Sequence, residues 1–285
     1  MSPTLDHQLK AILTLLADRD ERTADLVRQT LVDIGTDAVP SLEKAGEEAN
    51  PYVRRQLQTL IKEIQRNDLE DRFRQYSSLE NGAMDLEEGA FLVAQLRYPD
   101  LNVSVCCREL DRLAQEISGR LSRKSDPEDV IRRINHCLYS ELGFHGNTQN
   151  YYDPDNSCLN RVLERRTGIP ISLSVVYLLV AKRLGLPVMG VGLPGHFMLK
   201  YEQKDFCLFL DAFNNGQTLT RDECVRFLLN SGYEVHEGYF SAATSRDIVC
   251  RMLRNLAYVY NQLQDKDKVH QLTRLIHILQ APAQD

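Results

Sequence analysis

The stretch from Ile171 to Leu184 limits the possible folds of this chain more than any other, because it is apolar on nearly every side and bounded by breakers, Gly168-Ile169-Pro170 before it and Gly185-Leu186-Pro187 after it. A helix without a polar face has to lie at the centre of its domain. The run is interrupted by Ser172, Ser174 and Tyr177 and falls short of the roughly 18 apolar residues of a bilayer span, so no membrane anchor is expected. Three short β-type runs follow it, Val188 to Gly192, His196 to Tyr201 and Phe206 to Asp211. One buried helix followed by short strands argues for an α+β domain.

The polar segment Glu202-Gln203-Lys204-Asp205 suits a hairpin loop. If Tyr201 pairs with Phe206, His196 falls directly opposite Asp211 on the neighbouring strand, within hydrogen-bonding reach. Two readings stay open at this point. The pair stabilises a hairpin end, or the carboxylate orients an imidazole as the third member of a catalytic triad does.

The chain of 285 residues exceeds the roughly 100 to 200 of one domain, and the surplus reads as helix on both sides. Ala24 to Ile34 and Val53 to Ile64 carry amphipathic stripes, including Leu26, Val27 and Leu31 in the first and Leu57, Leu60 and Ile64 in the second. With the turn from Ile34 to Leu42, and with Asn50-Pro51 opening the next helix, they resemble a HEAT repeat as closely as a plain helical bundle. Further helices are expected over Leu86 to Leu96, Val103 to Leu121 and Asp129 to Leu142, then a long irregular loop over Gly143 to Asn156 and a helix from Leu159 to Arg166. Arg221 to Asn230 follows, and Asp247 to Leu263 and Lys266 to Leu279 form a closing αα-hairpin. Asn255-Leu256-Ala257, Tyr260 and Pro282 in that hairpin resemble a tetratricopeptide unit, with Val269 where that repeat has a small residue.

Seven cysteines at irregular spacings, with no C-x-x-C pair, exclude a disulfide framework and the common structural zinc site. A formal charge of −6 argues against nucleic acid, and the Arg-Arg pairs at 54-55, 132-133 and 165-166 read as solvated helix faces. The opening residues Met1 to His7 lack the flanks of a secretory signal, so a cytoplasmic location is expected.

The chain resembles the SirB-one-type family, which couples a transglutaminase-like domain to tetratricopeptide-like C-terminal helices. The resemblance runs from about Leu79 to Pro282 and rests on Tyr151-Tyr152-Asp153-Pro154 with Asn156-Ser157, Leu163 to Ser174, Gly190 to Phe197, and Leu210-Asp211-Ala212-Phe213-Asn214. It implies a papain- or transglutaminase-like α+β core, a buried central helix on a small antiparallel sheet, with all-α extensions. The corresponding division is 1-79 HEAT-like, 80-245 transglutaminase-like and 246-285 tetratricopeptide-like.

Active members of that superfamily use Cys, His and Asp, and the resemblance places His196 and Asp211 on the last two positions but Pro170 on the nucleophile position. Ser172 points roughly 200° away from position 170, and Ser174 lies a turn deeper, so neither serine is a convincing replacement. Cys158, at the expected start of a helix, is a weaker nucleophile candidate still in play beside Ser174. Tyr151, Tyr152, Asn156, Glu164 and Asn214 are candidates for a groove.

The first expectation is a regulatory or protein- or peptide-binding module without the cysteine. The alternative is a hydrolase or acyltransferase in which His196, oriented by Asp211, acts as general base. A metal hydrolase with Glu164 or His145 as third ligand has no supporting spacing, so neither metal nor cofactor is expected.

Overall fold

A computed structural model describes residues 21–80, 82–122 and 125–281. Met1 to His7 and Pro282, both used above, lie outside the described residues. The chain divides into two compact units between Arg72 and Phe73.

In the first unit α1 (Glu21–Ile34) and α2 (Val39–Glu48) are joined by a 3₁₀ turn, Gly35–Ala38, and α3 (Pro51–Ser78), whose residues from Phe73 on belong to the second unit, begins where Asn50 caps it. The Asn50 side chain accepts from the amides of Tyr52 and Val53 at 3.1 and 3.0 Å, the N-cap arrangement that precedes a proline at N1. Val27, Leu31, Leu42, Leu57, Leu60 and Ile64 form the core. Leu26, placed on the buried stripe by periodicity, is exposed instead. Arg54 is exposed, as expected of a solvated helix face, and its guanidinium donates to the carbonyls of Gly46 and Ala49 and closes the end of α2.

The second unit opens with α4 (Leu86–Gln95), capped by Asp85, then α5 (Val103–Ser118) and α6 (Pro127–Asn135), capped by Asp126. The helix expected to run to Leu142 changes at His136 into a π turn, His136–Glu141. The expected irregular loop after it holds regular structure: β1 (His145–Gly146) pairs in parallel with β2 (Thr167–Gly168), and Pro154–Ser157 forms a 3₁₀ turn. Between those strands lies α7 (Leu159–Arg165). Two-residue strands escape period-2 reading because they contain no alternation to detect.

The central helix α8 (Pro170–Arg183) is buried from Pro170 through Ala181, as its apolar surface demands. Ser172 forms its start. Its hydroxyl accepts from the Ile169 amide at 3.0 Å and donates to the Asn156 carbonyl at 2.6 Å. A Cβ on Gly168 would stand 2.6 Å from that hydroxyl, so the break before the helix has to be glycine.

An antiparallel sheet in the order β3 (Val188–Val191), β4 (Met198–Gln203), β5 (Phe206–Asp211), β6 (Gln217–Leu219) accompanies the helix, which makes the unit α+β. Strand β6 is an addition to the three runs expected. The hairpin register also differs: Gln203 pairs with Phe206 across a two-residue turn in which Lys204 adopts φ +52°. His196 therefore precedes β4 and is not Asp211's cross-strand partner. The slip is an even number of residues, which preserves the face each side chain occupies.

Then α9 (Arg221–Asn230), α10 (Ser245–Gln262) and α11 (Lys266–Gln280) complete the chain, the last two turning through Gln264 at φ +58°. Among the described residues no helix is long and apolar enough to cross a membrane.

Candidate functional site

Asp211 ends β5 and is almost fully buried. Its Oδ1 accepts from the amides of Phe213 and Asn214 at 3.0 and 3.2 Å, while Oδ2 accepts from the Asn214 side chain at 2.8 Å and meets His196 Nε2 at 2.9 Å. Burial pushes the carboxyl pKa up, but hydrogen bonds from His196 and Asn214 outweigh it and hold Asp211 below the ordinary carboxylate range. The carboxylate is thus ionised and fixed in orientation, and it holds one imidazole nitrogen. Asn214, expected as a groove residue, positions this carboxylate.

The imidazole is held from its backbone side by a distant helix. Arg251 of α10 donates to the carbonyls of Leu193 and His196, both at 3.0 Å, spanning the loop that carries Gly195 at φ +75°. Phe227 of α9 flanks the imidazole with ring centroids 5.8 Å apart, and Tyr233 lies against Gly195. On the Asp211 side, Phe213 touches Tyr151 edge-on at 6.0 Å, Tyr151 touches Tyr152 at 5.4 Å, and Tyr152 lies 5.9 Å from Tyr258 of α10. Tyr151, Tyr152, Tyr233 and Tyr258 are all exposed. A His-Asp pair is bordered by a band of aromatic rings.

Several expected site residues serve other ends. Pro170 is the first residue of α8 and buried, so the place the resemblance assigns to a thiol holds a pyrrolidine ring. The Ser174 hydroxyl is buried without a hydrogen-bond partner. Cys158 is inaccessible, and burial pushes its thiol up to about 12, the reverse of an activated thiolate. Asn156 is buried too; its amide donates to the carbonyls of Asn150 and Tyr151 and shapes the loop bearing Tyr151. Glu164 is exposed and paired with Arg161.

Among the described residues, neither Glu164 nor His145 joins His196 and Asp211 in a set of metal-ligand atoms. The set that does converge is Glu116, Cys137 and Glu141, and Arg120 pairs with both of its carboxylates. The cysteine geometry carries its own test. Iodoacetamide on the folded protein at mildly alkaline pH is expected to label the exposed Cys207 first and to leave Cys158 unmodified until unfolding. Early labelling of Cys158 in peptide mass spectra would contradict its burial.

Sequence reasoning missed Asp155, Arg251, Phe213 as an aromatic neighbour, and Phe227. Asp155 lies between Pro154 and Asn156 in sequence, and only its distant partners Arg97 and Tyr98 set it apart. Arg251 carried no local signal, because it acts on residues more than fifty positions earlier in the chain.

The buried helix, its sheet and a His-Asp pair at the strand end define a transglutaminase-like architecture, and the model of the transglutaminase-like superfamily matches residues 105–254. The chain belongs to that superfamily. It is 37% identical over 196 residues to a UPF0162 protein of Xylella fastidiosa strain 9a5c, covering 65% of this chain and 68% of the relative. A UPF0162 protein of Pseudomonas aeruginosa is 31% identical over 183 residues, 62% of this chain and 65% of its own. F-box only protein 21 of Mus musculus is 36% identical over 154 residues, 51% of this chain but 24% of that larger protein. No solved structure matches.

Proposed function

We propose that this is a SirB-one-type transglutaminase-like module that binds a polypeptide segment beside His196 and performs no cysteine chemistry. The observation that carries the reading is the start of α8, where Pro170 holds the position the resemblance assigns to a thiol, Ser172 is committed to the helix cap and Ser174 is buried. A general base without a nucleophile cannot begin covalent acyl transfer. The exposed aromatic band supplies the anchors from which peptide interfaces draw most of their affinity. The match to a quarter of a much longer F-box only protein supports a portable module used inside larger proteins. We extend the proposal to the flanks, HEAT-like at the N-terminus and tetratricopeptide-like over 246-285. The seven unpaired cysteines support a reducing, cytoplasmic setting.

Two measurements test this together. Amide, ester and isopeptide substrates are expected to turn over no faster with wild type than with His196→Ala. In binding assays on a mixed peptide array, Tyr151→Ala is expected to weaken retention about tenfold, the scale of losing an aromatic anchor. Turnover by wild type that disappears in His196→Ala would replace this reading with the alternative, a His-Asp hydrolase or acyltransferase.

A further inference from the structure

Several arginines of the second unit have carboxylate partners: Arg97 and Arg161 pair with Asp155, Arg165 with Asp153, Arg183 with Glu87. Arg251 and Arg254 do not. Arg251, half-buried, donates to the two carbonyls of the His196 loop and lies over the Phe197 ring, with no carboxylate partner among the described residues, and exposed Arg254 has no hydrogen-bond or ion-pair partner among them. The two lie three residues apart on α10, close enough that burial and the Arg254 charge together lower the Arg251 pKa. Tyr258 follows Arg254 by four residues, and its ring continues into Tyr152, Tyr151 and Phe213. Two cations without a carboxylate partner among the described residues therefore border the aromatic band in a protein whose formal charge is −6. Adjacent like charges, one of them partly desolvated, repel each other unless an anion comes between or beside them.

Resting on the peptide-binding reading above, we infer that the segment held along this band is an acidic peptide, its carboxylate side chains meeting Arg251 and Arg254 while its apolar atoms lie on Tyr258, Tyr152 and Tyr151. Charge complementarity selects this occupant. A guanidinium fork matches a carboxylate, and the rings provide desolvated contact area. Two arginines in an otherwise acidic protein are too few for the continuous basic track that a nucleic-acid backbone requires.

The test uses the full chain and three immobilised libraries of short peptides rich in Pro, Ala and Tyr, which differ only in carrying Asp/Glu, Asn/Gln or Lys/Arg. Wild type is expected to bind the acidic library at least about tenfold more tightly than the amide library, with a preference that falls as salt rises. Arg254→Gln is expected to reduce that preference about threefold, and Arg254→Glu to abolish it, both with unchanged circular dichroism because the side chain is exposed. Equal retention of the acidic and amide libraries, with loss in Tyr151→Ala, would overturn the charge inference and leave the peptide-binding reading intact. An acidic preference undiminished in Arg254→Glu would also overturn it, as would tighter retention of a single-stranded oligonucleotide. Retention of no library by wild type would remove both.

Discussion

Replacing Asp155 with alanine is expected to destabilise the second unit by about 3 kcal/mol, read as a shift in the urea unfolding transition of the full chain. Asp155 is buried in the 3₁₀ turn Pro154–Ser157, and its two oxygens serve four side chains. Oδ1 accepts from Arg97 at 2.8 Å and Tyr98 at 2.6 Å, Oδ2 accepts from Arg161 at 3.2 Å, and Arg165 lies 3.4 Å away. Arg97 also reaches the hydroxyl of Tyr260 on α10, so the carboxylate links the end of α4, α7 and α10 to the loop bearing Tyr151. Removing it takes the carboxylate from Arg97 and an acceptor from Arg161 and the Tyr98 phenol, while Arg97 keeps Tyr260 and Arg161 keeps Glu164. Breaking a buried pair costs about 3 to 5 kcal/mol, and the lower end applies because both arginines keep some water contact.

The same site has a pH signature. Burial would raise the Asp155 pKa, but hydrogen bonds from Tyr98, Arg97 and Arg161 bring it below the ordinary carboxylate value. A folded pKa lower than the unfolded one contributes stability that is complete above the unfolded value and is lost as pH falls through the folded one. The stability gap between wild type and Asp155→Ala is therefore expected to be full at neutral pH and to shrink below about pH 4. A gap that stays constant into strong acid would mean that the ionic contacts contribute nothing.

Gly216→Ala is the second large effect. Gly216 closes the turn after Asp211 at φ +71°, and an added Cβ would stand 2.5 Å from Asn135 Cγ and from a Tyr139 ring carbon. Its amide donates to the Asp211 carbonyl at 2.8 Å, and its own carbonyl accepts from Asn135 at 2.7 Å, so the collision is passed to the His-Asp pair. Left-handed backbone strain of about 1 to 2 kcal/mol adds to overpacking of about 1 to 3 kcal/mol, giving an expected loss near 3 to 4 kcal/mol. Gly232→Ala separates the two contributions. It shares the backbone state, φ +79°, but its Cβ would meet nothing within 4 Å, so only the strain of about 1 to 2 kcal/mol is expected. Equal losses at the two positions would show that Asn135 and Tyr139 yield freely.

The hairpin shows how far local reading reaches. Alternation identified both strands and kept His196 and Asp211 on one face, yet the turn contains two residues and not four, so the direct cross-strand pairing was wrong by an even slip. The hydrogen bond exists because the His196 loop brings the imidazole across to Asp211. Cys158 shows the opposite limit. A helix start suggested thiolate character, but accessibility belongs to the packing around it, and that packing raises its pKa.

The buried helix, the breakers at its two ends, the strands after it and the proline that opens the helix were all determined by the sequence alone. Each depends on apolar periodicity, backbone stereochemistry or residue identity, which act within a few positions of the chain. Only the tertiary structure decided that Asp155 ties the end of α4 to α7 and, through Arg97, to α10, that Arg251 holds the histidine loop, and that Tyr258 joins Tyr151 and Tyr152 in one aromatic band beside two arginines with no carboxylate partner among the described residues. Those contacts join residues tens to hundreds of positions apart, and no short-range pattern records them, because they arise where separately formed elements pack together.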